Sequence, residues 1–302
     1  MISPRASAFA LLAAANLLWS GNWILGRALR ETFDPVALNF WRWLVALAIL
    51  APFALRETLA KRAVIRRHAA LLAFLALAGV TVFQSLVYLG LETTTAINAV
   101  LINASAPAFI VICSWIVDRE RAGWRQIAGM LISFAGVIVI VCQGEPERLL
   151  HLEFHRGDAW ILLAMPIWGM YSVLVKRCPP ELRGVALTFV LAAIGLAMLV
   201  PLYFAVAPRG PLRLPTPAEA GAVLYVAIAA SVLAFLCWNR GVAVVGANAA
   251  GFTLPLLPAF GTVLAILVLG ESFRGFHAMG FATILTGVLL ATRSGALHSG
   301  RS

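Results

Sequence analysis

Ten apolar runs, each near the length that crosses a bilayer, constrain this chain more than any other feature. They lie at approximately 6–26, 36–55, 69–90, 96–117, 126–143, 158–175, 184–205, 219–238, 247–269 and 277–292. A spanning helix needs roughly 20 predominantly apolar residues, and a bilayer leaves no other way to satisfy the backbone short of a closed barrel. Of the 302 residues, 62% are hydrophobic and 12% charged. A soluble domain holds roughly 45–50% and 25% respectively, and cannot bury this much apolar side chain. A cytosolic enzyme, a disordered chain and a secreted disulfide scaffold are thereby excluded. The expected fold class is an all-α polytopic membrane protein. The first run has Arg5 ahead of it and small residues at Ala13, Ala14 and Ala15, as a signal peptide would. It continues to Ile24 and more runs follow, so it reads as a first spanning helix.

The net charge is +10. The basic residues sit between apolar runs, which points to orientation in a membrane rather than to nucleic acid. With the N-terminus inside, the inner segments hold Lys and Arg over the outer loops by roughly two to one. The loop with Arg56, Lys61, Arg62, Arg66 and Arg67 dominates that bias. Both termini are therefore expected in the cytoplasm.

The runs are not independent. A shift of 151 residues aligns Ala96 with Ala247, Pro107-Ala108-Phe109 with Pro258-Ala259-Phe260, Glu120 with Glu271, Gly129 with Gly280 and Gly136 with Gly287. A shift of 149 aligns Trp19 with Trp168, Leu25 with Leu174, Phe40 with Phe189 and Pro52 with Pro201. The pattern predicts two five-helix units, residues 1–150 and 151–302. Five is odd, so the second unit enters the membrane from the opposite side. Such inverted repeats are the architecture of carriers that alternate access around a midplane site.

The run Pro107-Ala-Phe … Glu120-Arg … Gly129 … Gly136, its echo from Pro258 to Gly287, and Leu18-Trp19-Ser20-Gly21-Asn22 resemble the EamA-type members of the drug/metabolite transporter superfamily. The resemblance covers nearly the whole chain. It implies ten helices, cytoplasmic termini, a bacterial inner-membrane location and export of metabolites or amino acids. Two departures stand out. The second unit carries Gly169 and Tyr171 near the places of the helix-1 Ser and Asn, and helix 1 lacks the membrane-embedded Glu of the small multidrug members.

All 13 acidic residues fall in loops or at helix ends. Intramembrane carboxylates are the usual proton relays of coupled carriers, so their absence favours facilitated diffusion or weak coupling. The midplane polar groups are neutral: Asn16, Trp19, Ser20 and Trp23 on one face of helix 1; Thr81, Gln84 and Tyr88 in helix 3; Asn103 in helix 4; Trp168, Tyr171 and Ser172 in helix 6; Trp238 and Asn239 at the end of helix 8; Thr253 in helix 9. Such groups are costly in hydrocarbon and must face a partner or a wet cavity. As a pocket lining, they suit an amino acid or related zwitterion, with amphipathic amines and drugs as the alternative. Singly, any of them serves equally well as interhelical glue. Pro107, Pro255 and Pro258 are expected to kink helices 4 and 9. Arg42 reads either as an anion contact or as a side chain that snorkels to the headgroups between Trp41 and Trp43. Gly129, Ser133 and Gly136, with Gly280, Thr283 and Gly287, make small faces for close packing of helix 5 on helix 10. Glu120 and Glu271 are expected to pair with Arg119, Arg121 or Arg274, or to cap a neighbouring helix.

An enzyme would need a nucleophile–base pair or a metal cluster. The histidines lie in loops or at ends, with only His151-x-x-x-His155 suggestive, and the four cysteines are scattered. No cofactor or metal is expected. The expected partners are a small-molecule substrate and the lipid bilayer, not nucleic acid; the sequence leaves the oligomeric state open, with a monomer as the expectation.

Overall fold

The computed structural model describes residues 3–29, 33–206, 215–269 and 273–293. Glu271, Arg30, Arg209, Arg213 and most of the loop between Pro208 and Pro217 lie outside them. The described residues form ten membrane-length helices: α1 (Pro4–Gly26), α2 (Pro35–Ala60), α3 (Ala69–Thr93), α4 (Asn98–Asp118), α5 (Trp124–Val141), α6 (Arg156–Arg177), α7 (Val185–Ala205), α8 (Glu219–Val245), α9 (Ala247–Leu264) and α10 (Gly275–Thr292). Large apolar side chains point outward, Phe53, Trp124, Phe204 and Leu267 among them, as lipid contact requires.

Local chemistry sets the helix starts. Asp34 accepts from the Ala37 N–H at 2.9 Å, with Pro35 in the first turn of α2, and Ser3 accepts from the Ala6 N–H ahead of α1. Thr216 and Glu219 bond each other's backbone reciprocally at the head of α8. Only Gly246 separates α8 from α9. Its φ of +85° with ψ of 164° is a conformation that a side chain would strain, and it turns the chain within one residue.

Four helices are irregular, and they form two pairs. α3 is π-helical over Leu77–Val82 and α8 over Val226–Leu233. α4 is broken between Asn103 and Ala106, and α9 between Gly251 and Leu256. The prolines therefore do more than kink: Pro107 and Pro258 open the second halves of α4 and α9, and Pro255 lies in the break itself. α8 also runs on to Val245, so Trp238 and Asn239 sit inside it rather than at its end.

The packing partners are α1 with α8 and α9, α2 with α7, α3 and α4 with α6, α4 with α9, and α5 with α10. Exchanging α1–α5 for α6–α10 maps this set onto itself. The α5–α10 seam depends on its glycines. A Cβ on Gly129 would meet the Gly287 carbonyl oxygen at 2.5 Å, and one on Gly136 would meet the Ile284 nitrogen at 2.7 Å. At the face where α1 begins, loops are tied by Arg177 and Lys176 on Asp118 and by Arg5 on the Thr292 carbonyl. Glu120 pairs with Lys176 and Ser114, not with its arginine neighbours. At the opposite face, buried Asp158 accepts from Thr94, from Asn98 at 2.7 Å and from the His155 N–H at 2.8 Å.

Candidate functional site

The polar residues read from the sequence do not line one chamber. They divide into four groups. Ser20, Trp23 and Asn103 line a cavity of about 290 Å³, together with Val100, Gln143, Pro258, Gly261, Thr262 and His277. It opens between the first half of α4 and the second half of α9, toward the face opposite the N-terminus. Its volume is near the lower end of the range for small-molecule sites, roughly 300–1,000 Å³.

Trp19, Trp168, Tyr171 and Trp238 pack on one another instead of facing a cavity. The indoles of Trp19, Trp168 and Trp238 lie 5.2–5.4 Å apart, with Phe83 and Phe235 against them. All four are at most 5% exposed. Trp19 Nε1 donates to the Ala230 carbonyl at 3.0 Å, in the π-helical segment of α8. Tyr171 donates to Asn239 Oδ1 at 3.0 Å. These aromatics form a solid partition beneath the cavity, one helical turn down α1 from Trp23.

Asn16 donates to Thr253 Oγ1 at 3.2 Å and joins α1 to the break in α9. Thr253 also borders a second recess of about 420 Å³ at the N-terminal face, with Arg5 and Thr292. Asn239 borders a third, of about 360 Å³, with Lys176, Arg183, Arg240 and Cys178. Burial pushes the Cys178 thiol up to about 12, so it is an inert wall rather than a nucleophile.

Gln84 and Tyr88 belong to the fourth group, which Arg42 organises. Arg42 does not snorkel to the headgroups. It is wholly buried, and its guanidinium donates from Nε to Ser231 at 2.7 Å and from Nη1 to Gln84 at 2.9 Å and Tyr88 at 2.8 Å. Tyr88 donates in turn to Asn22 at 2.6 Å. The reason is position: Arg42 stands on the face of α2 that meets α3 and α8, where its stem cannot reach the surface.

The break in α4 and the break in α9 meet on one side only. Near the N-terminal face a Cβ on Gly251 would touch Ile110 Cδ1 at 2.9 Å. On the cavity side, Gly261 has only Ser20 Cβ nearby, at 3.9 Å. Two broken helices thus meet at one face and part at the other around a small cavity.

The EamA-like transporter family model matches residues 6–142 and again residues 155–293. The chain belongs to the EamA-like transporter family. It is 30% identical to an uncharacterized transporter of Archaeoglobus fulgidus over 93% of this chain and 96% of that one. It is 26% identical to an uncharacterized transporter of Bacillus subtilis over 86% and 85%. A probable terminal-alkyne amino-acid exporter of Streptantibioticus cattleyicolor is 29% identical over 82% and 80%. A solved crystal structure, 23% identical, superposes with a TM-score of 0.74 over 98% of this chain and 99% of the other, which supports the fold. Members of the family are transporters, so this EamA-like chain is a membrane transporter and not an enzyme.

Sequence reasoning about this transporter missed Asn39 and Ser231, and took Asn22 only as part of a motif, not as a site residue. Asn39 Nδ2 donates to the carbonyls of Val80 and Thr81 and to Ser85, holding the π-helical segment of α3 as Trp19 holds that of α8. A buried Asn one turn before Arg42 was the available signal.

Proposed function

We propose that this EamA-like transporter exports small zwitterionic metabolites, amino acids foremost, by alternating access between two inverted five-helix copies. Its termini would face the cytoplasm across a bacterial inner membrane, as the excess of Lys and Arg at the N-terminal face favours. One observation carries the reading. Under the 151-residue shift, Val100 corresponds to Gly251 and Ile110 to Gly261. Exchanging the copies therefore turns the closed contact Ile110–Gly251 into the pair Gly261–Val100. Both members of that second pair line the open cavity. The same large-on-glycine contact is made at one face and unmade at the other, as two states of a rocking pair require. The cavity's amide, hydroxyl and indole groups suit a zwitterion, and the name of the Streptantibioticus relative agrees with an amino-acid substrate.

Labelled neutral amino acids exchanged across proteoliposomes, with and without a pH gradient, test this. Saturable exchange that falls in Trp23→Ala and Asn103→Ala, with normal membrane insertion, is the expected result. Movement of amphipathic amines but of no amino acid would overturn the substrate class. Movement of neither would overturn the carrier mechanism.

A further inference from the structure

The Arg42 cluster is unbalanced in both charge and hydrogen bonding. Among the described residues no carboxylate lies within ion-pair distance of the guanidinium, although it is wholly buried. Its neighbours are neutral: Ser231, Gln84, Tyr88 and, at 3.5 Å, Asn22, with the rings of Trp43 and Tyr88 at 5.5 and 5.8 Å. The acceptors there are taken. On the side chains of this cluster the unpaired atoms are all donors: Arg42 Nη2 and Asn22 Nδ2, on two side chains already in contact, and Trp43 Nε1. Buried donors without acceptors are costly, and an uncompensated buried cation is more so.

The fold itself does not ask for this charge. The 149-residue shift places Leu191 opposite Arg42, and Leu191 is buried without difficulty in α7. An ionisable residue inside the membrane that the architecture can do without marks a functional site. The four partners stand on α1, α3 and α8, so the cluster spans both halves of the chain. A movement between the halves would part Arg42 from Ser231, its partner in the second half.

We infer that Arg42 and Asn22 form a binding site for a monovalent anion of carboxylate or halide size, engaged during the transport cycle. Arg42 Nη2 and Asn22 Nδ2 supply the donors, and the guanidinium supplies the charge. Two sources share this chemistry: the carboxylate of the substrate, or a free chloride that travels or binds beside it. The first source rests on the proposed amino-acid export; the second does not.

The test measures thermal unfolding of the purified full-length protein in detergent, independently of transport. The probes are sodium chloride against sodium isethionate at equal ionic strength, and leucine against isoamylamine, which lacks the carboxylate. A saturable rise in Tm with chloride, or with leucine but not isoamylamine, is expected in the wild type. Arg42→Gln should weaken it by roughly tenfold to a hundredfold, the worth of a charge-assisted hydrogen bond. Should Arg42→Gln fail to fold, Gln84→Glu replaces it. That variant sets a carboxylate beside Nη1 and should raise Tm while abolishing the anion response. A wild type that responds to neither probe, or a Gln84→Glu protein that responds as the wild type does, overturns the site. An anion response in a protein that moves no amino acid leaves the site standing and removes only the substrate reading.

Discussion

Gly251 packs on Ile110 near the N-terminal face, and in the proposed rocking pair this contact belongs to one of the two states, so filling it should push the protein toward the other. A Cβ at Gly251 meets Ile110 Cδ1, Cγ2 and Cβ at 2.9, 3.3 and 3.4 Å. Ile110 is wholly buried and has little room to retreat. Alanine needs a shift of a few tenths of an ångström. Valine adds two carbons beyond that point, and overpacking of this kind costs about 1–3 kcal/mol. Confined to the state closed at this face, that cost changes the ratio of the two states by roughly 5- to 150-fold. The assay is the rate at which a membrane-impermeant maleimide modifies a cysteine at Gly261, in a background without the native cysteines. Gly251→Val should slow labelling by up to that factor, since the rate follows the fraction of open molecules, and Gly251→Ala by much less. Ile110→Ala in the same chain should restore it, because the two changes act on one contact. Labelling that is unchanged in Gly251→Val, in protein that inserts and folds normally, would refute the reasoning.

Four further outcomes follow from the packing. Gly287→Leu forces α5 from α10 and should lower stability in detergent by about 1–3 kcal/mol, read as a fall in Tm. Gly221→Ala, with nothing within 4 Å of the new Cβ, should be neutral or gain up to about 1 kcal/mol. Asn39→Leu leaves the Val80 and Thr81 carbonyls without their donor and should cost about 1–3 kcal/mol, with faster hydrogen exchange confined to residues 77–85. Asp158→Ala removes the first-turn partner of Thr94, Asn98 and the His155 N–H, and should cost about 1–2 kcal/mol by the same thermal measurement.

The ten spans and the glycine seam between α5 and α10 were legible because they rest on composition and on small residues at helical spacing. Gly129, Gly136, Gly280 and Gly287 meet as their pattern implies. The candidate site was legible only in part. Ser20, Trp23 and Asn103 reach a cavity, but Trp19 and Trp168 go to an aromatic partition. Helical periodicity says which residues share a face; it does not say which neighbour that face meets. Arg42 shows the limit most clearly. Flanked by Trp41 and Trp43 near a helix start, it reads as an interfacial anchor until Gln84, Tyr88 and Ser231 are seen around it. The π-helical segments of α3 and α8 leave no mark in hydropathy. Their partners, Asn39 and Trp19, are separated from the carbonyls they hold by 41 and 211 residues.

Locking each face of the α4–α9 pair tests the carrier account most directly. Cysteine pairs replacing Ile110 with Gly251, and Val100 with Gly261, would be oxidised in proteoliposomes and then reduced. Both crosslinks should form in the membrane, each should stop exchange, and reduction should restore it. Exchange that continues with either pair crosslinked, or a second pair that never crosslinks during turnover, would contradict the account.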